Sequence, residues 1–365
     1  MTPPLSPTAT LGILGGGQLG RMLALAAARL GFDVAILTPE ADSPASRVAA
    51  HTLVANYGDE QALAELAKLC AVVTFEFENV PAAVVAGLQA AGAEVAPGPK
   101  ALAIAQDRVL EKSFLNQIGV PTVGFHQVDT VADLTAGLDL LGAPALLKTR
   151  RQGYDGKGQV WVRTVSEAEA ALESLGGGDC ILEARAAFVR EVSVIAVRNR
   201  SGAFAAYPLA ENVHENGVLR VSTVPANVPP ETETAAFAMA RKLVDGLDYV
   251  GVIGVEMFDM GDGRLWVNEF APRVHNTGHW TLDACQVDQF EQHIRAIANW
   301  PLGPTTPFAA AEMTNLLGAE VETWAELAAE PDARLWLYGK RDAKPGRKMG
   351  HVTRLKGRFP TTGGA

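Results

Sequence analysis

The segment from Lys148 to Gln159 constrains the fold more than any other, because it cannot lie in a hydrophobic core. Its twelve residues include four lysines or arginines, one aspartate and three glycines, and apolar residues precede and follow it. Glycines let the backbone approach a ligand closely and direct its N–H groups at an anion. We therefore predict strands near 145–149 and 159–163, joined by a flexible cationic loop that binds polyphosphate.

Composition is typical of a globular enzyme with more than one domain. The chain has 365 residues, of which 48% are hydrophobic and 20% charged. Its net charge of −10 argues against a nucleic-acid partner. The sequence predicts no signal peptide and no membrane contact. The cysteines (Cys70, Cys180 and Cys285) lie far apart and are expected to be buried free thiols of a cytoplasmic protein.

Strands and helices alternate in the first hundred residues, the pattern of a doubly wound parallel sheet. In this part we predict strands at 10–15, 34–37, 72–75 and 94–96, and helices from residue 19 and at 59–68 and 81–91. One helix is predicted at 100–118 and another at 286–299. Later strands are predicted at 180–184, 190–198, 203–207, 250–259, 264–270, 334–338 and 351–355. The last stretch forms a small β-rich region.

Gly15, Gly17 and Gly20 have the spacing of a dinucleotide-binding fingerprint between a strand and a helix. Glu40 lies at a suitable distance downstream to bind a ribose. The same glycines would equally serve close packing of the helix on the strand. The motif alone leaves open a nicotinamide-dependent oxidoreductase, in which the cationic loop would have no role.

A pair of glutamates gives a sharper indication of chemistry. Asp262-Gly263 is a strong two-residue hairpin turn, and as the whole loop it would place Glu256 directly opposite Glu269. Opposed carboxylates repel, with Cβ atoms roughly 5 Å apart, unless a cation lies between them. Such a pair suits Mg²⁺ or Mn²⁺ bound with nucleotide phosphate, and Asn268 adds an oxygen ligand. The alternative is that both glutamates face solvent on a twisted edge.

The residues after Glu269 place further charged groups beside this predicted metal site. Arg273 can bind a phosphoryl or carboxylate group through two parallel hydrogen bonds. His275 can transfer protons or polarise a carbonyl. His275 and His279 have the spacing of a helical zinc pair, but the intervening Asn-Thr-Gly disfavours a helix, so zinc is not expected.

Other polar residues are candidates for contacts with a sugar or a phosphate. Glu76 and Glu78 follow the strand at 72–75, and ligands of open α/β sheets bind beyond the carboxyl ends of strands. Glu78 would equally serve as an acid at a helix N-terminus. Glu183 and Glu191 would either accept hydrogen bonds from ribose hydroxyls or be ordinary exposed acids. The basic turn at 344–351 either binds a phosphate monoester or is simply solvated.

The order of these motifs resembles the ATP-grasp superfamily and, within it, the N5-carboxyaminoimidazole ribonucleotide synthetase family. The resemblance spans nearly the whole chain. It is carried by residues 17–22, 76–78, 153–159, 268–280 and 345–351. The fourth of these motifs is long and highly specific, whereas the first is shared with other members of the superfamily.

The resemblance implies an ATP-grasp fold and a reaction. The expected parts are a doubly wound pre-ATP-grasp domain at 1–99, an α+β lid at 100–189, a central metal-binding subdomain at 190–300 and a β-rich C-terminal region at 301–365. ATP would phosphorylate bicarbonate to carboxyphosphate, which would carboxylate the amine of 5-aminoimidazole ribonucleotide. The family expectation for oligomeric state is a homodimer.

The resemblance also assigns roles to individual residues. It assigns ATP contacts to Arg108, Lys148, Gly153, Tyr154, Asp155, Gly156, Lys157, Gly158, Gln159, Glu183, Ala184, Arg185, Ala186, Glu191, His214, Asn268 and Glu269. It assigns Mg²⁺ or Mn²⁺ to Glu256 and Glu269, and the reacting carboxyl group to Tyr154, Asp155, Arg273 and His275. It assigns the ribonucleotide to Gln18, Leu19, Glu76, Glu78, Arg347 and Lys348. Rival functions are an ATP-grasp enzyme with another acceptor, such as formate-dependent glycinamide ribonucleotide transformylase or biotin carboxylase, and a non-enzymatic nucleotide sensor.

Overall fold

The structure of the chain, a computed structural model, describes residues 3–153 and 156–358. The first hundred residues form a four-stranded parallel sheet with the strand order β3-β2-β1-β4. Helix α1 packs on one face of this sheet, and α2 and α3 pack on the other. The elements are β1 (Thr10–Leu14), α1 (Gln18–Arg29), β2 (Asp33–Thr38), β3 (His51–Val54), α2 (Glu60–Leu69), β4 (Val72–Phe75) and α3 (Ala82–Ala90).

This sheet confirms the predicted doubly wound architecture, with two differences. Strand β3 was not predicted. The strand predicted at 94–96 is reduced to one isolated bridge between Val73 and Val95.

The predicted helix at 100–118 is wrong as a single element, because it is two helices, α4 (Pro99–Ala105) and α5 (Arg108–Gln117). Asp107 caps α5, since its carboxylate accepts hydrogen bonds from the backbone N–H groups of Val109 (3.0 Å) and Leu110 (3.3 Å). A capped start directs the chain into a new helix. Arg108 therefore lies in the first turn of α5.

The second sheet flanks the cationic loop and is antiparallel, with the strand order β5-β8-β6-β7. Its elements are β5 (Phe125–Val128), α6 (Val131–Leu141), β6 (Ala145–Thr149), β7 (Gln159–Val162), α7 (Ala168–Ser174) and β8 (Cys180–Ala184). Strands β6 and β7 confirm the predicted strand, loop, strand arrangement.

A nine-stranded antiparallel sheet contains the remaining strands. Its order is β14-β13-β9-β11-β12-β15-β17-β16, and β10 pairs with β9. The strands are β9 (Arg190–Arg198), β10 (Phe204–Ala206), β11 (Ala210–Glu215), β12 (Val218–Val224), β13 (Gly251–Asp259), β14 (Leu265–Ala271), β15 (Ala309–Leu317), β16 (Ala333–Leu337) and β17 (Lys348–Arg358). The helices of this part are α8 (Pro230–Gly246), α9 (Thr281–Ala284), α10 (Gln289–Ile297) and α11 (Trp324–Ala329). Because β12 pairs with β15, the sheet continues through the predicted C-terminal region.

The β13–β14 hairpin has the predicted pairing but not the predicted turn. The backbone N–H of Met260 donates to the carbonyl of Arg264 at 3.0 Å, so the loop has three residues and the two-residue turn was wrong. Asn268 then forms a β-bulge with no partner residue on β13, and this bulge shifts the register back by one. Glu256 therefore does lie opposite Glu269.

Two further expectations concern the whole chain. All three cysteines are buried free thiols, as predicted. In the part of the chain that the structure describes, no helix has the length and apolar character needed to span a bilayer.

Candidate active site

A cleft of about 500 Å³ opens between the second sheet and the nine-stranded sheet. Many of the predicted site residues line it: Glu78, Arg108, Lys148, Gly153, Gly156, Lys157, Gln159, Glu191, His214, Glu256, Asn268, Glu269, Arg273, His275 and Lys348. Nine others do not: Gln18, Leu19, Glu76, Gly158, Glu183, Ala184, Arg185, Ala186 and Arg347. Tyr154 and Asp155 lie outside the described residues.

The opposed glutamates differ sharply in their electrostatic environment. Burial, followed by the repulsion from Glu269, raises the pKa of Glu256 to about 7. Burial acts on Glu269 in the same direction, but Arg108 outweighs it and lowers the pKa of Glu269 to about 2. The Arg108 guanidinium donates to the Glu269 carboxylate at 2.6 Å. Glu269 is thus ionised, and it faces Glu256, whose ionisation costs free energy unless a cation is bound.

The oxygen groups around this pair fit a hard divalent cation. The buried side-chain oxygen Oδ1 of Asn268, at the bulge, has no hydrogen-bond partner among the described residues. A buried acceptor without a donor is rare and needs an explanation such as an ion or water. Two carboxylates and one amide oxygen are the ligand types that Mg²⁺ or Mn²⁺ takes in proteins.

The cationic side of the cleft is organised by a buried carboxylate. Glu183 is 3% exposed and lies between two lysines, 2.7 Å from Lys148 and 3.2 Å from Lys112. Burial opposes its ionisation, but the two lysines prevail and lower the pKa of Glu183 to about 2. In this structure Glu183 fixes the position of Lys148 beneath the cleft, and a contact with ribose stays a prediction.

The cationic loop is fastened at its start to helix α5. Arg150 and Arg151 donate to the Asp107 carboxylate at 2.7 and 3.1 Å, and Arg108 donates to the carbonyl of Gly153 at 3.1 Å. Gly156 has a positive φ of 75°, and a Cβ there would lie 3.1 Å from the carbonyl of Asn216. The loop therefore needs a glycine where it passes the turn between β11 and β12.

His275 lies within hydrogen-bonding distance of Glu256, one of the two predicted metal ligands. Its Nδ1 is 2.9 Å from the hydroxyl of Thr277 and accepts from the Thr277 backbone N–H at 3.4 Å, while its Nε2 is 3.3 Å from Glu256. Burial and then the nearby Arg273 lower the pKa of His275 to about 3, so the imidazole is neutral. With Nδ1 accepting, Nε2 carries the proton and donates towards Glu256.

Glu191 and His214 lie beside Glu256 on the nine-stranded sheet. The Nδ1 of His214 is 3.0 Å from the Glu191 carboxylate. One ligand atom from each of these three residues lies within 4.8 Å of the others. The structure thus brings both predicted nucleotide contacts next to the predicted metal pair.

Glu76 occupies the helix N-terminus that the glycine fingerprint creates. Its carboxylate accepts from the backbone N–H groups of Gly17 and, at 2.7 Å, of Gly20, and the residue is 9% exposed. A Cβ at Gly17 would lie 2.6 Å from that carboxylate. This internal anion leaves no room for a dinucleotide pyrophosphate at that point, which argues against the oxidoreductase.

Of the six residues predicted to bind the ribonucleotide, two line the cleft, Glu78 and Lys348. Glu78 accepts from the guanidinium of Arg273. Burial raises the pKa of Glu78, but Arg273 outweighs that effect and holds the pKa below its usual value. Gln18 begins α1, whereas Arg347 is exposed in the basic turn that precedes β17. Their contacts with a substrate stay predictions.

Sequence reasoning missed three buried charged residues that hold the site together, Asp107, Glu111 and Lys112. The last two belong to one face of α5 with Arg108, at spacings of three and four residues. Charged residues repeated at that spacing on a helix expected to be packed were the available signal.

Three family models together match most of the chain. The ribonucleotide synthetase preATP-grasp domain matches residues 8–106, the ATP-grasp domain 113–290, and the phosphoribosylaminoimidazole carboxylase C-terminal domain 311–358. The N5-carboxyaminoimidazole ribonucleotide synthase of Brucella melitensis is 52% identical over 356 residues, which are 97% of this chain and 98% of that protein. The chain belongs to the N5-carboxyaminoimidazole ribonucleotide synthase family. The resemblance inferred from the motifs is thereby confirmed.

Solved structures of the N5-carboxyaminoimidazole ribonucleotide synthase family share the fold. An ADP complex of one such synthetase is 42% identical with a TM-score of 0.94, covering 98% of this chain and 94% of that one. The Thermus thermophilus synthetase is 46% identical with a TM-score of 0.89, covering 95% and 93%. The Aspergillus clavatus enzyme in complex with ADP and 5-aminoimidazole ribonucleotide is 32% identical with a TM-score of 0.89, covering 96% and 95%. The predicted ATP-grasp fold is confirmed, and the chain is an ATP-grasp ligase.

Proposed function

We propose that this chain uses ATP and bicarbonate to convert 5-aminoimidazole ribonucleotide into N5-carboxyaminoimidazole ribonucleotide in purine biosynthesis. Family membership supports the reaction. The structural observation that carries it is the opposed pair of Glu256 and Glu269 in a cleft that also contains Arg108 and Lys148. A doubly acidic site beside fixed cations is suited to a metal–triphosphate complex.

The cations of the cleft hold the triphosphate in this proposal. Arg108 and Lys148 approach it from the side of α5 and β6, and the loop at 153–159 covers it. Glu256, Glu269 and Asn268 hold Mg²⁺, with Mn²⁺ as a substitute. When bound, the ion neutralises the charge on the terminal phosphates during phosphoryl transfer.

Bicarbonate then attacks the γ-phosphorus, the bond to the ADP oxygen breaks, and carboxyphosphate forms. The exocyclic amine attacks the carboxyl carbon, and phosphate leaves with the proton that the amine loses. Arg273 stays charged beside Glu78 and holds the reacting carboxylate, and the neutral His275 donates from Nε2. Carboxyphosphate is unstable in water, so a loop that closes over it protects the intermediate.

The family pattern supplies the rest of the proposal. Tyr154 and Asp155 join Arg273 and His275 around the carboxyl group. The nucleotide base and ribose lie near Glu183, Ala184, Arg185, Ala186, Glu191 and His214. The ribonucleotide lies near Gln18, Leu19, Glu76, Glu78, Arg347 and Lys348. The protein is a cytoplasmic homodimer.

The decisive experiment measures phosphate release from ATP with Mg²⁺ and bicarbonate, with and without 5-aminoimidazole ribonucleotide. We expect Glu269→Gln to reduce the stimulated rate by at least about 10²-fold, since one ligand charge is lost where charge develops. Glu215→Gln is the control, because this glutamate lies on the same sheet with its side chain 65% exposed. Near-normal turnover of Glu269→Gln at saturating Mg²⁺ would contradict the metal assignment. Stimulation by formate with glycinamide ribonucleotide, or by biotin, would point to another acceptor.

A further inference from the structure

The edge of the nine-stranded sheet is covered by helix α5 at the point where it presents Glu269. Strand β14 is terminal in that sheet. An isolated bridge with Thr122 covers its outward side at Val267, and among the described residues no strand pairs with that side at 268–270. The Glu111 carboxylate accepts from the backbone N–H of Phe270 at 2.7 Å. The Lys112 ammonium donates to the carbonyl of Asn268 at 2.9 Å. Two consecutive side chains of α5 therefore make hydrogen bonds to β14 that a neighbouring strand would otherwise make.

These two hydrogen bonds hold the peptide groups on both sides of Glu269. The carbonyl of Asn268 belongs to the peptide group before its Cα, and the N–H of Phe270 belongs to the one after it. The bulge at Asn268 removes that residue from the regular pairing with β13, so the ladder alone does not fix the backbone there. With both flanking peptide groups fixed, the direction of the Glu269 side chain is fixed as well.

The side chains of Glu111 and Lys112 are both buried, so neither is an ordinary solvated charge on the surface. Glu111 is 2% exposed and Lys112 is 1% exposed. An apolar residue in place of either would leave a buried backbone group of β14 without a partner, which costs more than an ordinary hydrogen bond is worth. Lys112 also lies 3.2 Å from Glu183, whereas the Glu111 side chain has one backbone partner among the described residues, Phe270 of β14.

We propose that Glu111 and Lys112 are positioning residues that set the bulge of β14 and thereby aim Asn268 and Glu269 at the bound metal. The inference rests on the proposed function, because it takes the metal site of the cleft as given. Helix α5 then has a second role, in addition to positioning Arg108 in the cleft. Neither residue needs to touch the metal or a substrate.

A matched pair of substitutions at one position tests the hydrogen bond itself. Glu111→Gln keeps an oxygen that accepts from the Phe270 N–H and removes the ionisable carboxyl group, whereas Glu111→Leu removes the acceptor. The measurement is Mn²⁺ binding to the full chain in the presence of ADP, followed by electron paramagnetic resonance. We expect Mn²⁺ affinity to fall about tenfold in Glu111→Leu, the effect of one lost buried hydrogen bond, and to stay within about twofold in Glu111→Gln. ADP affinity in EDTA should stay within about twofold in both.

The outcomes separate this inference from the proposed function. If the unsubstituted chain binds no Mn²⁺ with ADP, the metal assignment fails and the inference fails with it. If it binds Mn²⁺ and Glu111→Leu binds equally well, only the inference is overturned. Equal weakening in Glu111→Gln and Glu111→Leu would also overturn it, since the carboxyl group as a whole and not its acceptor oxygen would then matter. If thermal denaturation shows that Glu111→Leu is not folded, Mn²⁺ binding is measured for Lys112→Met instead. Unchanged Mn²⁺ affinity in that variant refutes the proposal.

Discussion

Metal affinity of the cleft should fall as the pH is lowered through about 7. The pKa of Glu256 is raised to about 7, first by burial and then by Glu269, which faces it across the hairpin. A metal ion binds the ionised carboxylate and competes with the proton. Protonation below this pKa therefore weakens binding, and ionisation above it restores full affinity. Glu269 does not titrate in this range, because its pKa is about 2.

The size of the effect follows from the pKa of Glu256. At pH 6, one unit below that pKa, about one carboxylate in eleven is ionised, so the affinity for Mn²⁺ is about tenfold weaker than on the plateau. Each further unit of acid costs about another tenfold, or about 1.4 kcal/mol. Above about pH 8 the affinity should be nearly constant.

The assay is a titration of the full chain with Mn²⁺ and ADP between pH 5.5 and 8.5, with bound Mn²⁺ measured by electron paramagnetic resonance. His214 needs a control, because burial lowers its pKa but the hydrogen bond to Glu191 outweighs this and raises it. His214→Asn should keep the break and move it to higher pH, because the imidazole lowers the pKa of Glu256. Glu269→Gln should move it to lower pH because the repelling charge is gone. An affinity that is constant from pH 6 to pH 8, or a break that disappears in His214→Asn, would refute the assignment to Glu256.

Two further predictions concern residues that shape the site from outside it, and each has a matched control. Gly17→Ala should lower the free energy of unfolding by about 2–4 kcal/mol, because a Cβ there would lie 2.6 Å from the Glu76 carboxylate. Displacing that carboxylate would also break its hydrogen bonds to two backbone N–H groups. Chemical denaturation measures this, and Gly58→Ala is the control, since nothing lies within 4 Å of a Cβ at that position; equal stability of the two variants would contradict the packing argument. Asp107→Ala should cost about 1 kcal/mol as a lost helix cap and, in addition, raise the KM for ATP severalfold, because the start of the cationic loop loses its anchor. Asp59→Ala removes the cap of α2, far from the cleft, and should lower stability without changing that KM; a change of KM in both variants would show that the effect is not local.

Much of the fold could be predicted from hydrophobic pattern, and the exceptions have physical reasons. Buried strands such as β1 and β4 consist mostly of apolar residues, and their predicted positions agree with the structure to within a residue. Strand β3 has exposed and half-buried residues only, so its sequence carries no such run. Helix α8 was not predicted, although it begins at Pro230, in the first-turn position where proline is favoured.

The hairpin shows that a correct pairing does not establish a correct local structure. The two-residue turn at Asp262-Gly263 was inferred from local turn chemistry, yet the loop has three residues. Only the bulge at Asn268 brings Glu256 and Glu269 back into opposition. That bulge depends on Glu111 and Lys112, which lie on a helix more than a hundred residues earlier in the chain. A local rule had no access to these contacts.

The glycine fingerprint shows the same limit for the site. Its spacing correctly predicts a helix N-terminus whose free N–H groups attract an anion. The anion is the carboxylate of Glu76, 56 residues beyond Gly20 in the chain, and the pKa of that carboxylate is raised by its burial. A phosphate from solution and a carboxylate from the next strand satisfy the same N–H groups. The motif therefore predicts the charge of its occupant but not its origin, and the fold decides between them by placing the end of β4 beside β1.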